Sequence, residues 1–508
     1  MFGLCYMEQA YFVPKVYKPI LFKKEYCKMF NKTKRLLAFA LATVLVFSLA
    51  GCKKSAEDTS SGGVEVITEI EYQDGDGTTS GGTTSGSTTS GGTKKPGKNN
   101  SSGSGATNKD GLINDNVDPT KYRGTTVKFA ATIDPAVDES GPVVKAFEQK
   151  YGIKVEIVAS DQGDYANQMA GLIAAGKSPD VARINGDFPT CMGYLQSLTA
   201  AKLNYKESIW KQHTFELSTF GGEPYFCDTV GNIWAEIDIV IYSKRLLKSA
   251  GANTPEEYDK AGKWTWDAYY DICRKVKALG GNMQGGAFNS RENAIYGAGG
   301  GLIVYKDGKF VNGVNQRTEE AMIKYTTAWK EGILGWKSTD GIIDGTVGIT
   351  TVHAWALKKT GFFNNTAYNT DDLGFYYLPR WDAGSDYGCT GMVRGWGIIR
   401  GASNPVAAGI FLREYLDVSN YDTSSTFISD AAEKFFFEVN SVNYDNWNPC
   451  ILYYAYNDGI AGSDMNEHNM AMSGDPSQVG TAMASIKSSM DRACANINKF
   501  VSQNTGLR

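Results

Sequence analysis

The clearest hydrophobic rhythm in the chain lies between Val127 and Ile184. Val127-Lys128-Phe129-Ala130-Ala131 reads as a strand. Ser140 stands as a cap before Pro142, and Val143, Val144, Phe147 and Tyr151 form one apolar face of a helix that Gly152 stops. Ile153, Val155 and Ile157 alternate as a second strand. Tyr165, Met169, Leu172 and Ile173 share one side of a second helix, ended by Gly176 and Pro179, and residues 181–184 make a third strand. This strand and helix alternation predicts a parallel sheet covered by helices. In such sheets ligands sit beyond the carboxyl ends of the strands, which singles out Asp134, Asp161 with Gln162, and Asn185 with Asp187.

Further along, Tyr269, Ile272, Cys273, Val276 and Leu279 fall at helical spacing within 266–279. Tyr305-Lys306-Asp307-Gly308-Lys309-Phe310 carries a hairpin signal, because Asp-Gly suits a tight turn with positive φ. Thr318 is read as the cap of a helix bearing Met322, Tyr325 and Trp329, and Asn404 as the cap of another with Pro405 in its first position. One motif misleads. Residues 171–178, G-L-I-A-A-G-K-S, satisfy the phosphate-loop pattern, but that loop needs a strand before it and a helix after it. Here the glycine lies at the carbonyl end of a helix, which repels phosphate.

The start of the chain is built differently. Lys32, Lys34 and Arg35 precede an apolar run from Leu36 to Leu49 that closes on Leu49-Ala50-Gly51-Cys52. The run is shorter than the roughly 20 residues a membrane-spanning helix needs, and its basic flank and small-residue end read as a secretory signal over 29–51. The ending resembles the lipobox of bacterial lipoproteins, which implies that Cys52 becomes the mature N-terminus and carries acyl chains. Residues 1–28 are then an upstream, non-native extension and Met29 the start. After Cys52, residues 52–118 are dominated by Ser, Gly, Thr and Lys, a composition too poor in apolar side chains to offset ordering entropy. As a flexible coil, roughly 60 such residues reach about 40 to 50 Å, so 52–118 is read as a disordered tether on a lipid anchor.

Composition narrows the function. The formal net charge of -4 offers no basic surface for nucleic acid. Cys191, Cys227, Cys273, Cys389, Cys450 and Cys494 are an even count that permits disulfides outside the membrane, but they show no metal or redox spacing and read mostly as small buried hydrophobes. His213, His353 and His468 are too few and too separated for a zinc site. No metal and no cofactor is expected.

A family emerges from the same residues. The stretches A-F-E-Q-K-Y-G-I-K-V and Q-M-A-G-L-I-A-A-G-K-S-P-D-V within 143–184 resemble the family 1 extracellular solute-binding proteins of ABC importers, the group that includes maltose-binding protein. Residues 234–250, then Trp264-Thr265-Trp266-Asp267, 374–379, Gly395-Trp396-Gly397-Ile398-Ile399 and Asn404-Pro405-Val406-Ala407-Ala408 resemble later family segments in the expected order. Two departures stand out: Ser243 occupies a position where Asn is common, and 280–313 is Gly-rich and individual. The resemblance implies a two-lobe, type II periplasmic-binding-protein-like α/β fold, each lobe a mainly parallel sheet flanked by helices, with the hinge crossed about three times. It places lobe 1 at 119–236 and 390–445, and lobe 2 at 240–386 and 450–505. It also implies a monomer that closes on a small solute, meets ABC permease subunits and faces the extracellular side of the cell membrane.

The solute is read from side-chain chemistry. Sugar rings present an apolar C–H face that packs on aromatics, while their hydroxyls need paired polar groups. Trp234, Trp355 and Trp396 fall in segments that the resemblance puts at the cleft, Arg394 lies two residues before Trp396, and Asn289 and Arg291 share one loop. Trp264, Trp329 and Trp336 read as core or surface. The resulting candidate set is Asp134, Gln162, Asn185, Asp187, Trp234, Asn289, Arg291, Trp355, Arg394 and Trp396. A carbohydrate is the first expectation, and an anionic solute held by Arg291 and Arg394 the second. A secreted carbohydrate-active enzyme using Glu236 and Asp238 is the third, although no H-E-x-x-H, G-x-S-x-G or C-x-x-C is present.

Overall fold

A computed structural model describes residues 117–131, 140–159, 165–185, 188–234, 237–287, 290–363, 368–442 and 475–505. All belong to the second of two units in the chain, Ser104–Arg508. The signal, Cys52 and nearly all of the tether lie outside the described residues.

In chain order the principal elements are β1 (Thr126–Ala131), α1 (Gly141–Tyr151), β2 (Lys154–Ala159), α2 (Tyr165–Ala174), β3 (Val181–Asn185), β4 (Leu195–Gln196), β5 (Phe226–Cys227) and β6 (Asp238–Ser243). There follow α3 (Trp266–Lys277), β7 (Gln284–Ala287), α4 (Ser290–Gly297), β8 (Ile303–Lys306), β9 (Lys309–Asn312), α5 (Gln316–Lys330), β10 (Leu334–Gly335), β11 (Val347–His353) and β12 (Leu373–Tyr376). The chain ends with β13 (Arg394–Ile399), α6 (Pro405–Tyr415), α7 (Asp430–Val442) and α8 (Val479–Thr505).

Two five-strand ladders organise these elements, ordered β2-β1-β3-β13-β4 and β10-β7-β11-β6-β12, with β5 also pairing β13. In the first, β1, β2 and β3 are parallel and β13 runs against β3. In the second, β10, β7 and β11 are parallel while β6 runs against both β11 and β12. The chain passes from the first sheet to the second between Cys227 and Asp238, returns before Arg394 and passes again between Tyr415 and Asp430. This is an α/β fold of two lobes.

Periodicity explains the layers. On the first sheet Val127, Phe129, Trp396 and Ile398 meet Phe147 of α1 and Phe411 of α6, while Ala130, Ala182 and Ile184 face a different core with Met169 of α2. β6 is buried on both faces: Val240 and Tyr242 pack with Tyr269, Cys273 and Val276 of α3, and Ile239 and Ile241 with Leu357 and Phe436. Such two-sided burial is why the strand reads as an unbroken apolar run. Gly152 and Gly176 end α1 and α2 with φ of 65° and 67°, values that a Cβ disfavours. The G-K-S of the phosphate-loop pattern lies in that second helix end, where Lys177 N–H returns to Leu172 O at 2.9 Å, so the pattern is a coincidence.

Several local expectations shift. Thr318 is not the cap of α5: Asn315 is, accepting from Thr318 N–H at 3.1 Å while the Thr318 hydroxyl accepts from Asn315 N–H at 3.2 Å. Ser140 and Asn404 occupy cap positions without side-chain cap bonds, and the Asn404 amide instead donates to Thr126 O. Leu279 lies beyond the end of α3 and is exposed. The departure at Ser243 is functional locally, since its hydroxyl accepts from Leu246 N–H and donates to Asp372. Among the described residues Cys191, Cys227, Cys273, Cys389 and Cys494 are buried free thiols, and Cys450 lies outside them.

The two C-terminal helices pack where chain order does not indicate. The resemblance places 390–445 with the first lobe; within it, Ala432, Phe436 and Val439 of α7 pack beside Ile239 and Ile241 of the second sheet, while Phe437 packs against the first-lobe core. Helix α8, which the resemblance places with the second lobe, shares a core with Phe310, Ala321 and Met322 of that lobe and with Met192 and Leu195 of the first. Its last residues are held by the first lobe, where the Tyr225 hydroxyl donates to Thr505 O at 2.7 Å. An apolar stripe fixes that a helix is covered but not by which sheet.

Candidate functional site

At the first sheet, β1, β2 and β3 end at Ala131, Ala159 and Asn185, and because β13 is antiparallel its first residue, Arg394, pairs with Asn185 at the same edge. Asp134, Asp161, Gln162 and Asp187 follow these strand ends in sequence but lie outside the described residues; for Asn185 only the backbone is described. Arg394 is 8% exposed. One register step inward Trp396 pairs with Arg183, whose guanidinium lies 5.7 Å from the Trp396 ring centre, a cation–π arrangement.

Trp234 and Trp396 form the wall behind that edge rather than its surface. They are 8% and 1% exposed, with ring centres 5.8 Å apart. Trp234 also stacks on Tyr415 at 5.2 Å and 8°. The Trp396 indole N–H is buried and has no hydrogen-bond partner among the described residues. A buried network sets the backbone leading to the crossing: Lys211 Nζ lies 2.8 Å from Asp228 Oδ2, Asp228 Oδ1 accepts from Asn232 at 2.6 Å, and Asn232 Oδ1 accepts from Trp234 N–H at 2.9 Å.

At the second sheet, β7 and β11 end at Ala287 and His353, and antiparallel β6 starts at Asp238 on the same edge. Asn289 lies outside the described residues, and Arg291 is placed in the first turn of α4 with only its backbone described. Trp355 sits in the turn after β11, partly exposed, its ring 4.8 Å from that of Phe362. Asp238, named with Glu236 as a possible acid and base, is buried, while Glu236 lies outside the described residues. Asp238 Oδ1 is 2.5 Å from His353 Nδ1, and its Oδ2 accepts from Asn293 at 2.6 Å. Its N–H donates to Thr390 O at 2.9 Å, tying β6 to the returning segment. Burial pushes the Cys389 thiol well up, and the Asp238 charge adds to the shift. From this side Lys358 Nζ reaches within 6.0 Å of the Trp234 ring in the other lobe.

The structure thus places Asn185 with Arg394 at one sheet edge, and Arg291, Trp355, Asp238 and His353 at an edge of the other. Arg183, Asn293 and His353 were missed by sequence reasoning. The available signal was a charged or imidazole residue bounding an apolar strand, as in D-I-V-I-Y-S and G-I-T-T-V-H. Among the described residues no group of three His, Cys, Asp or Glu side chains is placed to hold a metal ion. Nor is any described helix long and apolar enough to cross a membrane.

Comparison with known proteins fits this architecture. A lacto-N-biose-binding ABC transporter protein of Bifidobacterium longum, solved with lacto-N-biose, is 16% identical with a TM-score of 0.55 over 74% of this chain and 98% of that one. A cyclic α-maltosyl-1,6-maltose-binding protein of Arthrobacter globiformis is 12% identical with a TM-score of 0.54 over 75% and 99%. An ABC substrate-binding protein of Listeria monocytogenes, solved with cycloalternan, is 16% identical with a TM-score of 0.52 over 74% and 98%. These similarities establish the fold, that of the type II periplasmic binding proteins. No curated protein sequence matches this chain. The family model described as bacterial extracellular solute-binding protein, a family of carriers and not of enzymes, matches residues 125–418. That segment takes in both sheets and more than half of the 508 residues, and the chain belongs to the bacterial extracellular solute-binding proteins.

Proposed function

We propose that this protein captures a mono- or oligosaccharide outside the cell and passes it to an ABC permease. The observation that carries the sugar is the set of saccharides bound by similar folds, lacto-N-biose and cycloalternan among them. The geometry supports it: polar groups border both sheet edges, and partly exposed Trp355 offers an aromatic face of the kind that packs on a sugar ring. In this reading Asp134, Gln162, Asn185, Asp187 and Arg394 contact the solute from the first lobe and Asn289, Arg291 and Trp355 from the second. Trp234 and Trp396 stiffen the first-lobe wall. Closure about the crossings is driven by the solute's greater affinity for the closed lobes than for the open ones.

Cys52 is the lipid attachment point in this proposal, and 52–118 the tether that holds a monomeric domain near the membrane. Stable anchoring needs more than one acyl chain. A thermal-shift screen against a saccharide library tests the reading, since a solute at 100 times its Kd adds about 2.7 kcal/mol of stability. Absence of any shift across neutral sugars removes it. The second reading, an anionic solute such as a sugar acid, is favoured by the burial of Arg394 beside the Arg183–Trp396 pair. Calorimetry with uronates against the parent sugars separates the two.

A further inference from the structure

The first and third passages between the lobes leave the first lobe side by side. Ahead of the first, the buried Lys211–Asp228 pair fixes the backbone: Asp228 Oδ1 accepts from Thr229 N–H at 2.8 Å and from the Asn232 amide at 2.6 Å, and Asn232 accepts from Trp234 N–H. Ahead of the third, Leu416 O receives the Thr229 hydroxyl at 2.6 Å, and a Cβ on Gly231 would stand 3.2 Å from Val418 Cγ1. Trp234 closes the group, its ring stacked on Tyr415 and edge-on to Tyr421 at 5.4 Å and 85°. A buried ion pair adds little net stability over apolar side chains of the same volume. Its consequence here is geometric, since it holds both departing segments to one point.

The third passage lands in the second lobe beside Lys358. Lys358 and Phe427 form an antiparallel bridge, Lys359 N–H donates to Thr426 O at 2.8 Å, and Ile428 N–H donates to Leu357 O at 3.0 Å. From that landing the Lys358 ammonium reaches back to within 6.0 Å of the Trp234 ring centre, and the residue is only 5% exposed. A cation over an aromatic face gains strength as water is excluded. Trp234 therefore meets both ends of the third passage: Tyr415 and Tyr421 where it departs, and Lys358 where it arrives.

We propose that Lys358 is a positioning residue of the solute site, holding the second lobe against Trp234, and that the Asp228 network is the anchor it works against. The affinity part of this proposal rests on the solute-binding reading above, in which contacts come from both lobes. Lobes already held in register lose less freedom on binding. Removing the contact therefore weakens affinity with every solute-contacting group still in place.

Hydrogen exchange of the full chain without solute, read by mass spectrometry, tests the contact directly. In K358M, which keeps an apolar stem and removes the ammonium, peptides carrying the Trp234, Lys359 and Ile428 amides exchange about tenfold faster, while those from β1, β3 and β7 keep their wild-type rates. K358R restores a cation and returns the rates toward wild type. T229V cuts the link to Leu416 O and speeds exchange at Trp234 and at Tyr421, whose N–H donates to Val418 O at 3.0 Å. Calorimetry with maltose, lacto-N-biose and cellobiose supplies the second readout. For the panel member that wild type binds best, K358M weakens affinity roughly 3- to 30-fold and K358R less, and both variants melt within a few degrees of wild type. Wild-type exchange at all three amides in K358M overturns the assignment. So does faster exchange spread evenly over both sheets, which would make Lys358 a support of the whole fold. Equal affinity alongside faster local exchange overturns the link to the solute site. If wild type binds none of the three sugars, the carbohydrate reading has failed, and the exchange result alone decides whether Lys358 holds the lobes together.

Discussion

Where the β8–β9 hairpin meets the first lobe, the contact is aromatic. Phe310 lies 5.5 Å from Phe188 and stacks on Phe220 at 6.4 Å and 13°, and Tyr305 closes the group at 5.5 Å from Phe220. Where the chain crosses near Asp238, the contact is polar, made by Asp238, His353, Asn293, Thr390 and the Lys358–Trp234 approach. Both junctions join the same two lobes, but they respond to different things. Packed rings hold by area and by fit, and a solute changes neither. Hydrogen-bonding groups at a cleft edge can exchange partners, so a solute has purchase on them and can favour one lobe arrangement. On the proposed solute-binding reading, stability belongs to the hairpin side and recognition to the crossing side.

The sharpest way to break that division is F310A. It removes a buried ring from the aromatic junction and costs about 3 to 5 kcal/mol. Denaturant melts should register this, while solute affinity measured on the folded protein stays within a few-fold. A collapse of affinity at unchanged stability would instead place recognition at the hairpin. Next comes N498A. The Asn498 amide accepts from Phe310 N–H at 2.9 Å and donates to Phe310 O at 2.7 Å, pinning the hairpin to α8. Leaving these backbone groups unpaired costs about 2 kcal/mol, again read in melts and not in binding. On the crossing side W355A should do the reverse, lowering solute affinity roughly tenfold through loss of an aromatic face with little change in melting. If W355A melts early and binds normally, Trp355 belongs to the core.

The difference between the junctions also marks what a sequence can carry. β1, β2 and α1 are legible because their periods are local: Phe129, Phe147 and Tyr151 fall where 2 and 3.6 residue repeats put them, and each is buried. The β8–β9 turn is legible because Asp307 and Gly308 suit the positive φ of 52° and 78° that they adopt. Trp234 and Trp396 were grouped with Trp355 because an aromatic reads alike whether it lines a wall or a surface; only Tyr415, stacked on Trp234, distinguishes them. The Asp238–His353 pair needs the register of two strands far apart in sequence, and nothing local encodes it. The same holds for α7 and α8, whose stripes specify burial without naming the sheet.

A smaller effect tests how α8 is fastened to the aromatic side. Asp475, just before α8, accepts from Ser477 N–H at 3.0 Å, lies 2.9 Å from Lys330 Nζ of α5 and accepts from the Ser477 hydroxyl at 3.0 Å. The Ser477 backbone bond, then Lys330, then the Ser477 hydroxyl hold its carboxyl below the usual 3.8, at about 2. Because the folded value is the lower one, the charged form is favoured by folding. Its contribution is therefore present above the unfolded value near 3.8 and is lost as pH falls toward about 2. The side chain is exposed and its ion pair screened, so the effect is modest and weakens with salt. D475N keeps the cap shape and removes the charge. Its melting point should sit slightly below wild type at neutral pH, and the gap should close on acidification through that window. A gap that persists unchanged to pH 2 would mean that the carboxylate charge contributes nothing there, and that α8 is fastened by Asn498, by Asn312, whose amide donates to Lys487 O and Asp491, and by packing.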